Sequence, residues 1–470
     1  MEERRFFLAL ILSLLVIFSW YRWVSKFYHI EKQELTEINP SFTLSLSEPE
    51  KEEKINWFKN EIIFEPSLGT INKIIFKEFQ NYEFILKEGF LLRLNNLNLK
   101  NFYEDKEKKI IKEFNFSNHN YCIDLRIKFQ NLTSSPLLIK PELVLLTLPS
   151  TGSLETRFWE VALKQELNIF RTSPSKNFLL KEVEILAFRN QYFCMIIESK
   201  DLQKFTAFIN KANKEIGIIP QIEIPENQEK ELNFLIYIGP QDLEKITSLN
   251  KEWNFVLYYG FFNSISKGIL YLLRFFYKIF QNWGIALIIL SIFIYFLLYP
   301  LTFKQISSLK KIQKLQPQIE ELKRNYKNNP QRLNKEILEL YKKEGINPFG
   351  GCLPLILQIP IFFALYQALM RAWELKGKSF LWIKDLSKPD EIIIFGKSIH
   401  LLPLILILVM FIQQKRSQII TSSEREQQKL ITLIFPFLIG IIFYSLPSGL
   451  VLYWLINTLL LTLFQSGLKK

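Results

Sequence analysis

The side chains able to do chemistry in this chain of 470 residues sit in the middle of uncharged apolar runs. Ser291 and Tyr295 stand one helical turn apart in the run Ile285–Leu301. Gln358 and Gln367 belong to Cys352–Met370, and Tyr453, Trp454 and Asn457 to Gly449–Phe464. None is ionisable near neutrality, and none neighbours a base that would activate it. The chemistry on offer is hydrogen bonding in a poorly solvated setting, not bond making. A lone Ser suits helix packing, and a Tyr-Trp pair suits an interface anchor. A Gln is costly enough in hydrocarbon to point to a polar recess or an interhelical bond.

Covalent and metal chemistry are thinly represented elsewhere. His29, His119 and His400 stand apart, and Cys122, Cys194 and Cys352 make no metal or redox spacing. No HExxH, P-loop or GxSxG pattern occurs, so no enzyme, cofactor or metal is expected. Cys122 and Cys194 share one polar region and read either as a disulfide or as two buried thiols.

The elements that must position the seven polar residues are membrane helices. The chain is 49% hydrophobic and 22% charged, with 42 Phe, and its apolar residues are clustered. Five runs, Ile285–Leu301, Cys352–Met370, His400–Ile412, Leu430–Tyr444 and Gly449–Phe464, contain no Asp, Glu, Lys or Arg. A sixth, Phe6–Tyr21, follows Arg4-Arg5 and precedes Trp20-Tyr21-Arg22-Trp23, as in a retained anchor and not a cleaved signal. Between the first two of the five, the segment Phe303–Gly345 carries eleven Lys and Arg. Lys415, Arg416, Arg425 and Lys429 mark a second basic loop, and Lys469-Lys470 a basic tail. These placements predict six spans with both chain ends cytoplasmic. They also explain the net charge of +13 by membrane orientation, with no specific nucleic-acid partner. The loop Glu374–Ile399, with five lysines against four acids, falls outside by alternation despite its charge.

The basic segment has helical order of its own. Ile306, Leu309, Ile312, Leu315, Ile319, Leu322 and Tyr326 recur at spacings of three or four. Pro317 should kink or restart that helix, and Asn328-Asn329-Pro330 should turn it. Leu333, Ile337, Leu340 and Tyr341 then give a returning helix its apolar side, so residues 303–346 read as a cytoplasmic helical hairpin.

Residues 1–30 are thus read as the anchor and 31–54 as an acidic linker, with a β-rich domain over 55–250. There Tyr121, Ile123, Leu125, Ile127 and Phe129 alternate with Cys122, Asp124, Arg126 and Lys128, and Leu232, Phe234, Ile236 and Ile238 alternate likewise. Ile62–Phe64, Ile74–Phe76, Leu143–Leu148, Phe178–Ile185 and Tyr192–Ile197 are further strands, so an all-β sandwich is expected, on the outer side of the membrane (residues 31–261). Residues 262–281 form a basic amphipathic helix with Ile265, Ile269, Leu272, Leu273, Phe276 and Phe280 on one face. Residues 282–470 are the transmembrane core.

Six local patterns occur in order: Asn282-Trp283-Gly284, Tyr299-Pro300-Leu301-Thr302, Leu315-Gln316-Pro317, Asn347-Pro348 with Gly350-Gly351-Cys352, Gln358-Ile359-Pro360-Ile361, and Pro447-Ser448-Gly449-Leu450-Val451-Leu452-Tyr453. Together they resemble the YidC-type membrane protein insertases, in the Gram-negative form with a large periplasmic domain. The resemblance covers about residue 262 to the C-terminus and is architectural before that. It implies a polytopic α-helical membrane protein with a five-helix core and a hydrophilic groove, in the bacterial inner membrane. The groove would pass nascent membrane proteins, alone or with the Sec translocon, with ribosomes and membrane lipids as further partners. By match to the pattern, Ser291, Gln358, Tyr453 and Trp454 fall where groove residues are expected; Tyr295 falls where the family carries its groove arginine. A secondary transporter is the alternative, although uncharged spans without repeats speak against it.

Overall fold

Strand alternation sets the first unit. The computed structural model describes residues 52–116, 121–149, 154–201, 203–327, 329–345, 353–417 and 425–467. The expected anchor helix and most of the linker lie outside them. In the strand Cys122–Asn131, Ile123, Leu125, Ile127 and Phe129 are no more than 1% exposed, while Asp124 turns outward to Lys200 Nζ at 2.6 Å. The strand Glu229–Pro240 pairs antiparallel with it, in the register Leu232↔Ile127, Phe234↔Leu125 and Ile236↔Ile123. Apolar side chains therefore stack on apolar ones along the buried face.

These two belong to a sheet of eight strands, in the order 168–172, 160–165, 185–189, 193–199, 229–240, 122–131, 108–116 and 102–104. A sheet of six strands runs 178–183, 205–210, 215–220, 142–147, 91–94 and 97–99. The two make the β-sandwich, and a four-stranded meander, 53–89, precedes them.

The expected strand Phe178–Ile185 is two strands. Phe178–Val183 joins the six-stranded sheet with a register shift between Leu180 and Val183, Glu182 takes a φ of +56°, and Ile185–Arg189 joins the other sheet. The irregularity lets one stretch of chain cross between the two sheets, which period-2 patterning cannot reveal. Cys122 and Cys194 are both buried thiols, neither of them in a disulfide. Their strands flank Glu229–Pro240 in the sheet order, and two strand spacings of ~4.8 Å exceed the reach of a disulfide. Burial pushes the Cys122 thiol up to about 11. Lys112 is also buried, its ammonium donating to Leu68 O at 2.7 Å and Phe90 O at 3.0 Å, and desolvation lowers it to about 7.

The second unit comprises residues 239–470 with two short segments, 76–82 and 189–194. Its helices are α1 (Leu243–Leu249), α2 (Asn263–Phe280), α3 (Trp283–Lys314), α4 (Gln316–Asn325), α5 (Pro330–Lys343), α6 (Leu353–Met370), α7 (Leu401–Ser417), α8 (Arg425–Tyr444) and α9 (Ser448–Gly467). In α3, residues 283–300 are long and apolar enough to cross a membrane, with a mean hydropathy of 2.2. The apolar stretches of α6, α7, α8 and α9 are shorter: 359–370, 401–414, 434–444 and 448–464.

The helix expected after the first run is an extension of it, because α3 continues through Pro300 to Lys314. Pro317 then sits at the start of α4, and Asn329 Oδ1 accepts from Arg332 N at 3.1 Å to cap α5 behind Pro330. Leu315 and Ile319 pack against Ile337, Leu340 and Tyr341, holding α4 against α5.

Candidate functional site

Five of the motif residues, Asn282, Trp283, Gly284, Ser448 and Gly449, do structural work. Asn282 Oδ1 accepts from Ile285 N at 3.1 Å, and Trp283 stacks on Tyr277 with ring centroids 3.9 Å apart. A Cβ on Gly284 would lie 2.0 Å from the Phe380 ring, so only glycine fits there. At the start of α9, Ser448 N donates to Lys388 O at 2.8 Å and Gly449 N to Leu386 O at 2.9 Å, while Ser448 Oγ donates to Asp385 O at 3.1 Å. The free N–H groups of the helix end are thereby given to the loop 385–388.

The first turn of α7 is held the same way. Asp390, 1% exposed, accepts on Oδ2 from Leu402 N at 2.8 Å and from Trp382 Nε1 at 3.1 Å. Glu374, also buried, takes Arg274 Nε from α2 at 2.6 Å, and Ser266 Oγ of α2 donates to Ala364 O of α6 at 2.8 Å. Burial raises the Glu374 carboxyl, and Arg274 pulls it back. The sequence counts both acids only as charges of the loop Glu374–Ile399, and no local pattern marks them as buried.

Around this framework α9 packs on α3, α7 and, less extensively, α6, and α8 packs on α7. The expected site residues divide into two sets. Ser291, Tyr295 and Tyr453 are buried, on α3 and α9. Ser291 Oγ donates to Leu287 O of its own helix at 2.7 Å. Tyr295 lies 5.5 Å from Phe464 and 6.3 Å from Tyr299 between ring centroids, and its hydroxyl has no hydrogen-bond partner among the described residues. Gln367, Trp454 and Asn457 are half-buried instead. Trp454 meets Phe362 of α6 at 5.1 Å and Phe443 of α8 at 5.4 Å, and Asn457 Nδ2 donates to Tyr453 O at 3.0 Å. Gln358 is part of α6, but its side chain lies outside the described residues. Thr458 and Thr462, buried on α9 and bonded to the carbonyls of Trp454 and Thr458, were not anticipated; their four-residue spacing was the available signal.

The outer surfaces of the same helices are apolar. Leu297 (66%), Leu408 (60%), Ile441 (72%) and Leu463 (61%) are largely exposed, a distribution that water does not tolerate and lipid does.

Comparison with known proteins agrees. A family model described as YidC periplasmic domain matches residues 95–272, and one described as 60Kd inner membrane protein matches 275–470. A membrane protein insertase YidC of Endomicrobium trichonymphae is 33% identical over 78% of this chain and 72% of its own length. The chain belongs to the YidC family of membrane protein insertases. A second YidC, from Syntrophobacter fumaroxidans, is 32% identical over 75% of this chain and 67% of that protein. With several others the chain spans about half the length of the curated relatives it matches. A solved structure described as an active YidC insertase with its first transmembrane domain resolved is 21% identical, covering 89% of this chain and 93% of that one at a TM-score of 0.42. The YidC family consists of non-enzymatic insertases of the inner membrane with a periplasmic domain, and the transporter alternative finds no support.

Proposed function

We propose that this YidC-family chain moves nascent membrane proteins into the inner membrane by passing their polar segments along a recess lined by Gln367, Trp454 and Asn457. Ser291, Tyr295 and Tyr453 lie behind it. The observation that carries the reading is the half-buried state of those polar side chains on helices otherwise sheathed in exposed apolar residues. A polar peptide group left unsatisfied in hydrocarbon costs several kcal/mol. A recess reaching part of the way across shortens that path, and burial of the client's own apolar helix in lipid drives release.

In this reading α3, α6, α7, α8 and α9 span the membrane together with residues 6–21. Both chain ends and the α4–α5 hairpin are cytoplasmic, and residues 31–261 are periplasmic. The basic hairpin serves as a docking arm for ribosomes, and the insertase works alone or beside the Sec translocon. Reconstitution tests it. Purified protein is placed in lipid vesicles, and a small single-span client is scored for protease protection of its translocated tail. Protection that requires the insertase, with neither nucleotide nor translocon present, supports autonomous insertion. No protection by correctly folded protein overturns that and leaves a translocon-dependent chaperone.

A further inference from the structure

The loop Glu374–Ile399 carries five lysines against four acids, yet the alternation of spans puts it on the outer side, where basic residues are scarce. Burial sharpens that anomaly. Glu374 is buried on Arg274, Asp390 is buried at the first turn of α7, and Asp385 is half-buried, accepting from Ser387 N at 2.9 Å and Ser387 Oγ at 2.7 Å. Lys376 is half-buried over the Tyr82 ring. The exposed charges are Lys378, Lys384, Lys388 and Lys397 against Glu391 alone.

The loop is clamped to helix ends. The Phe380 ring sits against Gly284 at the start of α3, Leu386 O and Lys388 O take the first N–H groups of α9, and Asp390 caps α7. A two-stranded hairpin, Ile392–Ile394 paired with Lys397–Ile399, stands out from it by about 10 Å, at ~3.4 Å per residue. Its base is held where His400 Nδ1 meets Asp390 O and the His400 ring lies 4.4 Å from that of Tyr444, at the end of α8. Such a hairpin is barely stable alone in water, and this one turns its apolar residues outward. Phe395 is fully exposed, Ile393 is 67% exposed, and Leu381, elsewhere in the loop, is 74% exposed. Phe395 also opens the hairpin turn at a φ of +50°, where Asn or Gly is at ease and a bulky ring is not. In water neither the strain nor the exposure gains anything.

Depth decides what covers this tip. The apolar stretch of α7, 401–414, rises about 21 Å against ~30 Å of hydrocarbon. Centred in the bilayer, it starts ~5 Å inside the hydrocarbon edge, so a tip about 10 Å beyond that start still ends within the headgroup layer. We propose that the hairpin tip seats in the outer leaflet, with Ile393 and Phe395 at the boundary of headgroups and acyl chains and each exposed lysine against phosphates of an anionic bilayer surface. The proposal rests on the reading that α3, α7 and α9 span the membrane. A bilayer meets an apolar tip and a basic rim at the two depths where each is stable. Lysines on the unfavoured side of the charge rule then hold the loop to lipid instead of opposing the topology.

The test uses the full chain with Phe395→p-benzoylphenylalanine, in nanodiscs of equal phosphatidylglycerol and phosphatidylcholine. Leu408→p-benzoylphenylalanine, on the exposed face of α7, is the reference. Irradiation should give lipid adducts at both positions, and those at 395 should favour phosphatidylglycerol. Lys397→Gln should cut that preference by up to about fivefold, at ~1 kcal/mol per basic residue. Lys378→Gln/Lys384→Gln/Lys388→Gln/Lys397→Gln should bring it to parity. Adducts at 408 with none at 395 overturn the seating while leaving the spans in place; adducts at neither position overturn the spans as well. An unchanged preference in the fourfold variant overturns the role of the lysines. In irradiated cells the tip should again capture lipid, and a protein adduct in its place overturns the lipid seat in favour of a protein-docking edge.

Discussion

Removing the Asp390 carboxylate should loosen the start of α7 by an amount that its two bonds define. Oδ2 accepts from Leu402 N at 2.8 Å and Trp382 Nε1 at 3.1 Å, at 1% exposure. Asp390→Ala deletes a helix cap, at about 1 kcal/mol, and leaves a second buried donor orphaned, at about 2 kcal/mol. The sum of about 3 kcal/mol corresponds to a fall in melting temperature of roughly 6–12 °C for a unit of this size. Asp390→Asn can turn its amide oxygen to both donors and should lose only the attraction between charge and helix end, about 1 kcal/mol or roughly 2–4 °C. Thermal unfolding of the wild type and both variants in one detergent measures the ladder, and amide exchange at 402–405 localises it. A melting temperature for Asp390→Ala within about 1 °C of wild type would refute the count of bonds, because water would then satisfy both donors at no cost. Equal loss in both variants would refute it differently, by assigning the effect to charge alone.

Other outcomes follow from the same geometry. Glu374→Leu should cost about 2 kcal/mol, discounted because Arg274 keeps 22% of its side-chain surface exposed, and Arg274→Met/Glu374→Leu should recover most of that; a four-protein thermal cycle reads the coupling. Since burial raises the Glu374 carboxyl above its ordinary 4.5, wild-type stability should fall as pH climbs from there through the raised value, a slope the double variant lacks. Lys112 titrates near 7 when folded against an ordinary 10.5. Folding there should gain about 1.4 kcal/mol for each pH unit between about 7 and 10.5 and nothing below that window, and amide exchange of 108–116 should show that gain in the wild type but not in Lys112→Met. Tyr295→Arg places a cation where the family pattern has one. If charge attraction was the missing factor, vesicle insertion should rise for clients with acidic tails alone; no change favours recognition by hydroxyl and amide groups in a hydrated recess.

Much of this protein could be read from sequence because two periodicities were clean. The alternation in 122–131 and 232–238 left no choice of face, and Pro317 and Pro330 punctuated the α4–α5 hairpin where a helix must restart. What escaped notice depended on contacts distant along the chain. Glu374 and Asp390 look like any loop acid until Arg274 and the α7 N-terminus are brought to them. The crossing at Glu182–Glu184 hid inside a stretch that the sequence offered as a single strand, Phe178–Ile185. Among the site residues, the polar types in apolar runs were visible, but their division into buried Ser291, Tyr295 and Tyr453 and half-buried Gln367, Trp454 and Asn457 was not. Periodicity gives a helix's faces and not which neighbour covers each.

The continuity of α3 has a mechanical side. Thirty-two residues at 1.5 Å each make a rod of about 48 Å, longer by about 18 Å than the hydrocarbon thickness. That overhang ends at the α4–α5 hairpin, so a load applied to the hairpin arrives at the buried part of α3 as torque, with no slack loop between. Pro300 removes one backbone bond near the fulcrum and makes it the compliant joint of the rod. Tyr295 stands little more than one turn beyond that joint, close enough for any bend at Pro300 to be felt at its ring.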